Sequence, residues 1–427
     1  MIAYRYELMP TKAQRSLLSR TGGCCRRVFN DMLDHQLKLL EAGEKVLAYT
    51  EATALLPKWK KNPETDWLKE APSQCLQQKV KDVTNAVFSW LGKEKGKPHF
   101  QARDDGDSFR FPQIKTEYLD EANSRIFLPK LEWVRYRKSR PIRGNICFVT
   151  VSRDGNRWFM SLTCRIADYE MPPIRNGEIG IDLGVVQTVT LSDGRVFQLD
   201  IESINKHEQR IAVLQKQLDH NKTARQALCK QGKAEAFDKY KPSKKRRELK
   251  EKIQNHYRHI RNIRLDFCRK TAYAIAHEFG MVYAEDLKTK NMTASAKGTV
   301  ENPGKNVAQK AGLNRSMLRF SPYQFLQCLQ WALTKEGGQL MKVAPQFTSQ
   351  TCPECGYVSA ANRPTQARFC CQRCGYLNNA DIVASINVLK KGRTAPDSPS
   401  SESRLGSAAG TCHLLGQKFQ QTWNPPA

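Results

Sequence analysis

Two pairs of cysteines carry the sharpest chemical signal in this sequence. Cys352-Pro-Glu-Cys355 is followed, after fifteen intervening residues, by Cys371-Gln-Arg-Cys374. Each Cys-x-x-Cys knuckle sets two sulfurs near one point, and the intervening loop can bring the pairs together as the four thiolates of a tetrahedral zinc site. Gly356 and Gly375 follow their pairs at the same place, where a residue without a side chain lets the knuckle turn tightly. Cys370 competes for the third ligand position, but it stands one residue too far from Cys374. Four thiolates close the coordination shell, so a single Zn²⁺ held here is structural rather than catalytic.

Three acids point to a second chemistry. Asp182 lies in the apolar run from Ile179 to Gly184. Desolvating an unpaired carboxylate costs several kcal/mol or neutralises it, so Asp182 either faces a cation, a metal or water, or is a strand-end acid that bonds nearby backbone. Glu285 and Asp286 close the run Met281-Val-Tyr-Ala284, and because strand neighbours point to opposite sides, either one can be the ligand. Asp381 follows Asn378-Asn-Ala380 in the first turn of an expected helix, where a lone acid also serves simply as an N-terminal helix charge. Taken together, Asp182, Glu285 and Asp381 make the set from which polynucleotidyl hydrolases build a two-metal site. That chemistry needs clustered carboxylates to hold two cations roughly 3.5–4 Å apart. Hard oxygen ligands favour Mg²⁺, whereas Cys and His select zinc.

The elements that must position these residues can be read from pattern. Asp182 belongs to the first strand of an expected hairpin, with Val185 to Leu191 as the second strand and Ser192-Asp-Gly194 as its closing turn. Ile204, Ile211, Leu214 and Leu218 mark one long helix; Leu249, Ile253, Ile260, Ile263 and Phe267 mark another. Met281 to Leu287 reads as a strand, residues 289–321 as a mobile polar loop, Tyr323 to Glu336 as a helix and Gln339 to Ala344 as a strand. Upstream, Ile2 to Met9 alternates like a strand, and Thr11-Lys-Ala-Gln14 has the form of a capping box. Helical spacing follows through Leu17, Leu18, Val28, Phe29 and Leu33, from Thr50 to Leu56 and from Ser73 to Leu91. After Gly96-Lys-Pro the texture changes to strands around Phe109–Ile114, Arg125–Leu128, Ile146–Ser152 and Trp158–Cys164, as in a small β domain or a barrel completed by the first strand.

Charge narrows the partners. Among 427 residues there are 69 Lys and Arg against 42 Asp and Glu, a net charge of +27. Such an excess suits a polyanion, above all nucleic acid, with an anionic membrane surface as the rival. No apolar run reaches the roughly 18 residues of a spanning helix, and Met1-Ile-Ala-Tyr-Arg lacks the order of a signal peptide. A cytoplasmic protein is therefore expected, with most of its 14 cysteines reduced. Residues 221–270 alone carry 17 Lys or Arg against 5 Asp or Glu, packed around Lys244, Lys245, Arg246 and Arg247. A single surface cation is usually just solvated, but this density suits duplex phosphates and predicts salt-sensitive binding. The segment from Gly392 onward is rich in Ser, Pro and Gly and reads as disordered, with Cys412 and His413 incidental.

Gly180-Ile-Asp182-Leu-Gly184, Ala284-Glu285-Asp-Leu287 and Asn379-Ala-Asp381 with Asn387, interrupted by the four-cysteine insert, resemble the split RuvC nuclease of the transposon-encoded TnpB family, relatives of the type V CRISPR effectors. Further similar stretches are Gly22-Gly-Cys-Cys-Arg-Arg-Val-Phe-Asn30, Leu76-Gln77, Ser108-Phe-Arg110, Leu128-Pro-Lys-Leu131, Lys290-Asn-Met292 and Thr348-Ser-Gln-Thr-Cys352. The resemblance implies an α/β and α+β multidomain chain built on an RNase H-like core. Residues 1–10 and 106–172 would form a β-barrel wedge domain and 11–105 a helical recognition domain. Residues 173–346 and 376–391 would form the RuvC-like nuclease, 347–375 the zinc-binding, target-nucleic-acid-binding insert, and 392–427 a disordered tail. It also implies Asp182, Glu285 and Asp381 as the ligands of two Mg²⁺ ions, with Glu285 preferred to Asp286. Tyr49 and Gln77 fall where relatives contact a short motif beside the DNA target. The implied partners are a guide RNA from the transposon end and double-stranded DNA, one protein molecule per RNA. Many relatives carry His-Asp-Arg before the last acid and Asn two residues after it; Asn378-Asn-Ala380 and Val383 stand there in this chain.

The leading expectation is an RNA-guided, Mg²⁺-dependent DNA endonuclease. An RNA-guided repressor that binds without cutting is the alternative, and it has no use for three buried carboxylates among phosphates. A strand-joining transposase is a weaker reading, because nothing supplies a tyrosine nucleophile motif.

Overall fold

The computed structural model describes residues 1–102, 106–167, 172–173, 175–230, 243–299 and 302–394. They fall into two compact units, one within residues 1–169 and one within 170–417.

The first unit opens with strand β1 (Ile2–Met9), whose alternation buries Tyr4, Tyr6 and Leu8. Helix α1 (Lys12–Glu41) starts at the expected capping box: the Thr11 hydroxyl accepts from the Gln14 amide at 3.3 Å, and the Gln14 side chain accepts from the Thr11 amide at 3.1 Å. Short helices α2 (Tyr49–Thr53) and α3 (Leu55–Lys61) lead to α4 (Ser73–Leu91), which buries Leu76, Val80, Val83 and Val87 as its periodicity requires. Strands β2 (Ser108–Phe111), β3 (Leu119–Asp120), β4 (Arg125–Leu128), β5 (Glu132–Tyr136), β6 (Asn145–Asp154) and β7 (Arg157–Arg165) complete an antiparallel sheet in the order β2-β6-β7-β1-β5-β4-β3. The first strand does join this sheet, at its centre. The sheet is nevertheless open. Its edges β2 and β3, of four and two residues, do not pair with each other among the described residues, so the expected barrel does not close.

In the second unit, β8 (Glu178–Asp182), β9 (Val189–Leu191) and β10 (Val196–Phe197) precede the long helices α5 (Ile201–Lys230) and α6 (Lys244–Glu278). Strand β11 (Met281–Glu285) follows, then α7 (Thr289–Met292), α8 (Val307–Phe320), α9 (Pro322–Lys335) and β12 (Gln339–Val343). The hairpin β13 (Arg368–Cys370) and β14 (Leu377–Asn379) leads into α10 (Ala380–Thr394). The five-stranded sheet runs β10-β9-β8-β11-β12, with β8, β11 and β12 parallel and β9 and β10 antiparallel. Both faces are covered, which is why β11 reads as an unbroken apolar run. Val282 and Ala284 join a core with Ile253, Ile260, Phe325 and Leu329 of the α6 and α9 side. Met281 and Tyr283 join Val343 and Val388 on the α10 side.

Three sequence expectations shift. Residues 289–321 are not one loop but hold α7 and α8. The second hairpin strand begins at Val189 rather than Val185. Helix α10 continues past residue 391 to Thr394; residues 395–427, with Cys412 and His413, lie outside the described residues.

Candidate nuclease site and zinc centre

Strand parity decides which acids can meet. Gly180 faces α10, so Asp182, two residues on, lies on the same side; Glu285 shares that side with Met281 and Tyr283. Ile181 pairs with Ala284 in the parallel register, which brings the following residues, Asp182 and Glu285, to adjacent strand ends. Asp286 takes the opposite parity and sits 3.5 Å from Lys342 Nζ, half exposed. The third acid, Asp381, stands in the first turn of α10.

That helix can lie on the sheet only because two glycines leave room. A Cβ on Gly180 would stand 2.2 Å from the Ser385 carbonyl oxygen, and one on Gly392 would stand 2.0 Å from the Tyr283 ring. The close approach joins the acids electrostatically. Burial, and then the charges of Glu285 and Asp381, push the Asp182 carboxyl up to about 7, against the opposing charge of Arg363. Burial also raises Glu285, opposed by the Thr348 hydroxyl, which donates to Glu285 Oε1 at 2.5 Å, and by Lys391. Burial raises Asp381 too, opposed by Arg363, whose guanidinium reaches Asp381 Oδ1 at 3.3 Å. Glu285 and Asp381 thus both disfavour the ionised form of Asp182, as neighbouring like charges do. The three acids are not a tight preformed cage: among the described residues, the four cysteines are the only set of three or more possible ligands whose atoms all lie within 4.8 Å of one another.

Those cysteines are Cys352, Cys355, Cys371 and Cys374. Cys352 Sγ lies 3.5 Å from Cys374 Sγ, and Cys355 Sγ 3.6 Å from Cys371 Sγ. A disulfide would need about 2.05 Å, whereas Zn–S bonds of about 2.3 Å in a tetrahedron put sulfurs about 3.8 Å apart, so the residues fit Zn²⁺. The two knuckles are near copies. Gly356 and Gly375 have φ of 72° and 74°, and each donates its amide to the first cysteine's carbonyl at 3.0 Å. Burial would raise the Cys371 thiol, but amides of Cys374 and Arg373 donate to its sulfur and lower it, favouring the thiolate. Cys370 takes no part and pairs with Leu377 in the hairpin.

The insert is built into the acid site. Cys352, Cys371 and Phe369 share one apolar cluster with Ala380 and Val383 of α10. The buried Asn387 amide donates to the Thr348 and Thr351 carbonyls, both at 2.7 Å. Thr348 thus touches Glu285 while Arg363 touches Asp381, so the insert's flank and loop each supply one contact to the acids. Pattern reading missed Arg363, which has no periodic or motif signal, and passed over Thr348 despite the similar stretch that contains it.

The basic candidates lie apart in the chain. Lys244, Lys245, Arg246 and Arg247 form the first turn of α6, which has no acid. Cations at the positive end of a helix dipole are disfavoured. Tyr49 is part of α2 and 38% exposed, with Lys81 Nζ 5.9 Å from its ring centroid; Gln77 is exposed on α4. No helix is long and apolar enough to cross a membrane among the described residues.

Comparison with known proteins gives three family matches: Cas12f1-like, TNB domain, over residues 323–388; the helix-turn-helix domain of IS605 OrfB over 1–45; and the IS605 OrfB probable transposase over 161–296. Over 392 residues the chain is 39% identical to the Escherichia coli (strain K12) protein named putative RNA-guided DNA endonuclease InsQ, covering 91% of this chain and 92% of that one. The chain belongs to the TnpB (IS605 OrfB) family. A second relative of this TnpB chain, a putative RNA-guided DNA endonuclease of Streptomyces pristinaespiralis, is 28% identical over 403 residues, covering 92% and 90%. Among solved structures, a Cas12f1–sgRNA–target DNA complex shares the fold with a TM-score of 0.51 at 12% identity, covering 88% of this chain and 83% of that one. In this TnpB-family chain the region matched as helix-turn-helix is β1 followed by the single 30-residue helix α1.

Proposed function

We propose that this TnpB-family chain is a transposon-associated, RNA-guided DNA endonuclease. It would cut double-stranded DNA beside a short adjacent motif by hydrolysis at a RuvC-type site of Asp182, Glu285 and Asp381. The observation that carries the reading is the convergence of these acids from β8, β11 and α10, where burial and then the charges of Glu285 and Asp381 raise Asp182 to about 7. Such a cluster is stable in ionised form only with cations, and its all-oxygen donor set suits Mg²⁺. When bound, two Mg²⁺ would activate the attacking water and stabilise the leaving oxygen. The chain's own residues prepare that state: Thr348 fixes Glu285, Arg363 favours the ionised form of Asp381 against its burial, and Asn387 holds the helix that carries Asp381. One structural Zn²⁺ on Cys352, Cys355, Cys371 and Cys374 would fix the insert.

The division of labour follows from the charge. Base pairing with a guide RNA from the transposon end would read sequence, while the protein reads the adjacent duplex motif and the heteroduplex backbone. We assign motif contact to Tyr49 and Gln77, backbone contact to Lys244, Lys245, Arg246 and Arg247, and one chain to each RNA. Residues 1–10 and 106–172 are assigned to the wedge domain, 11–105 to recognition, 173–346 and 376–391 to the nuclease and 347–375 to the zinc-bearing insert.

The test uses the full chain purified with RNA transcribed from its own transposon end, Mg²⁺, and a matching plasmid with randomised flanks. Guided cleavage by the wild type, abolished in Asp182→Ala with zinc content and RNA binding retained, is expected. Absence of cleavage beside every flank, with protected target DNA in both proteins, would instead establish the repressor reading.

A further inference from the structure

A cavity of about 440 Å³ lies between α5, α6, the segment after α7, and α8. Arg264, Arg315, Arg319 and Lys297 line it, against Glu208 as its one acid. Glu208 is already committed, accepting from the Arg319 guanidinium at 2.6 Å. Three further cations therefore share one hollow, where they repel each other unless an anion enters.

The hydrogen-bond inventory is more specific than the charge. Among the described residues, Arg264 Nε and Arg319 Nε are buried donors without an acceptor. Native structures leave few such groups, because each costs the desolvation of an unmade bond. Asn314, on the same wall, donates its amide nitrogen to the carbonyls of Thr293 at 2.9 Å and Ala294 at 3.3 Å. These two bonds fix which end of the amide is which. Its Oδ1 is then a buried acceptor without a donor among the described residues. The wall thus offers two orphan donors on cations and one orphan acceptor. An anionic acceptor group joined to a hydroxyl donor is the complement in kind of all three.

We propose that this cavity is a ribonucleotide-backbone site, in which Arg264 and Arg319 bind a phosphodiester and Asn314 Oδ1 accepts from a ribose 2′-hydroxyl. The 2′-hydroxyl is the group by which a protein separates RNA from DNA at a given site, so the cavity discriminates the guide from its target. The inference rests on the guide-RNA reading and adds to it a location and a chemical preference.

The experiment compares wild type with Arg264→Met in the full-length protein, using the oligonucleotides rU12 and dU12 over a salt series. Arg264→Met removes a half-buried cation that makes no salt bridge among the described residues, so the free protein should melt no lower than wild type. For rU12, binding should weaken several-fold, and the slope of log K against log salt should fall by about 0.7, the loss of one single-strand phosphate contact. For dU12 the change should be clearly smaller. Equal losses for both oligonucleotides would overturn the ribose assignment, and unchanged rU12 affinity and slope would overturn the site. Guided cleavage is scored separately. A wild type that never cuts, yet shows the rU12 slope change on substitution, keeps the site and removes the nuclease reading; normal cutting with no slope change does the reverse.

Discussion

Gly180→Ala tests whether the catalytic geometry depends on how closely α10 lies on the sheet. The new Cβ would stand 2.2 Å from the Ser385 carbonyl oxygen, 2.7 Å from the Leu389 amide nitrogen and 2.8 Å from Leu389 Cβ, where ordinary contact begins at 3.4 Å. Two of these neighbours are helix backbone and cannot swing aside, so α10 must retreat by about 1 Å. Overpacking of this kind costs about 1–3 kcal/mol, or about 2–12 °C of melting temperature for a unit of this size. The retreat also draws Asp381 away from Asp182, and a misplacement of about 1 Å at a reacting centre costs about 100-fold in rate. Differential scanning calorimetry and single-turnover cleavage of a guided plasmid measure the two losses. Gly96→Ala is the control, since a Cβ there meets nothing within 4 Å. A Gly180→Ala protein that melts and cuts like wild type would refute both the close packing and its role in assembling the acids.

Asp182→Asn should alter stability in a pH-dependent way. Its carboxyl is raised from 3.8 to about 7, which costs the folded state nothing below about pH 4, progressively more up to pH 7, and the full amount above it. In Mg²⁺-free buffer the variant should therefore melt above wild type at pH 8 and level with it at pH 4; equal melting at pH 8 would remove the buried acid cluster. Thr348→Val deletes the 2.5 Å hydrogen bond to Glu285 while keeping side-chain shape. The loss of such an outer contact should raise the Mg²⁺ needed for cutting about 10–100-fold, with zinc content unchanged by mass spectrometry. Cys371→Ser should reduce zinc from one equivalent to none and unfold the insert. Because Ala380 and Val383 share the insert's apolar cluster, cleavage should fall with it, and a zinc-free variant that still cuts normally would contradict that coupling.

Residues whose role is local were the most legible. The capping box at Thr11 and Gln14 and the four-cysteine spacing are short-range codes, and the structure contains both. The apolar run of β11 was equally plain, since burial on both faces leaves only the acids at its end to interrupt it. The barrel was overread, because closure depends on which edges meet and a two-residue edge strand such as β3 says nothing about that in sequence. Helix α8 was missed for a different reason. It buries only Phe320 and leaves Leu313 and Leu318 about half exposed, so it has no apolar stripe to find. Polar anchors hold it instead: Lys310 to the Met292 carbonyl at 2.7 Å, Asn314 to that of Thr293, and Arg319 to Glu208. Arg363 was invisible for a similar reason. Its partner Asp381 is 18 residues away, beyond the second cysteine pair, and no local pattern records such a pairing.

The seat of α10 against β8 also sets an order of events in synthesis. Asp182 emerges from the ribosome about two hundred residues before Asp381, and loop closure over such separations is slow and comes late in folding. Until α10 has been made and laid over Gly180 and Tyr283, the nascent chain can fold its first unit and display its basic helices. Its acids, however, would belong to no common centre. A chain interrupted after α6 but before α10 should be a nucleic-acid binder with no means of hydrolysis, so such incomplete translation products would occupy nucleic acid without breaking it.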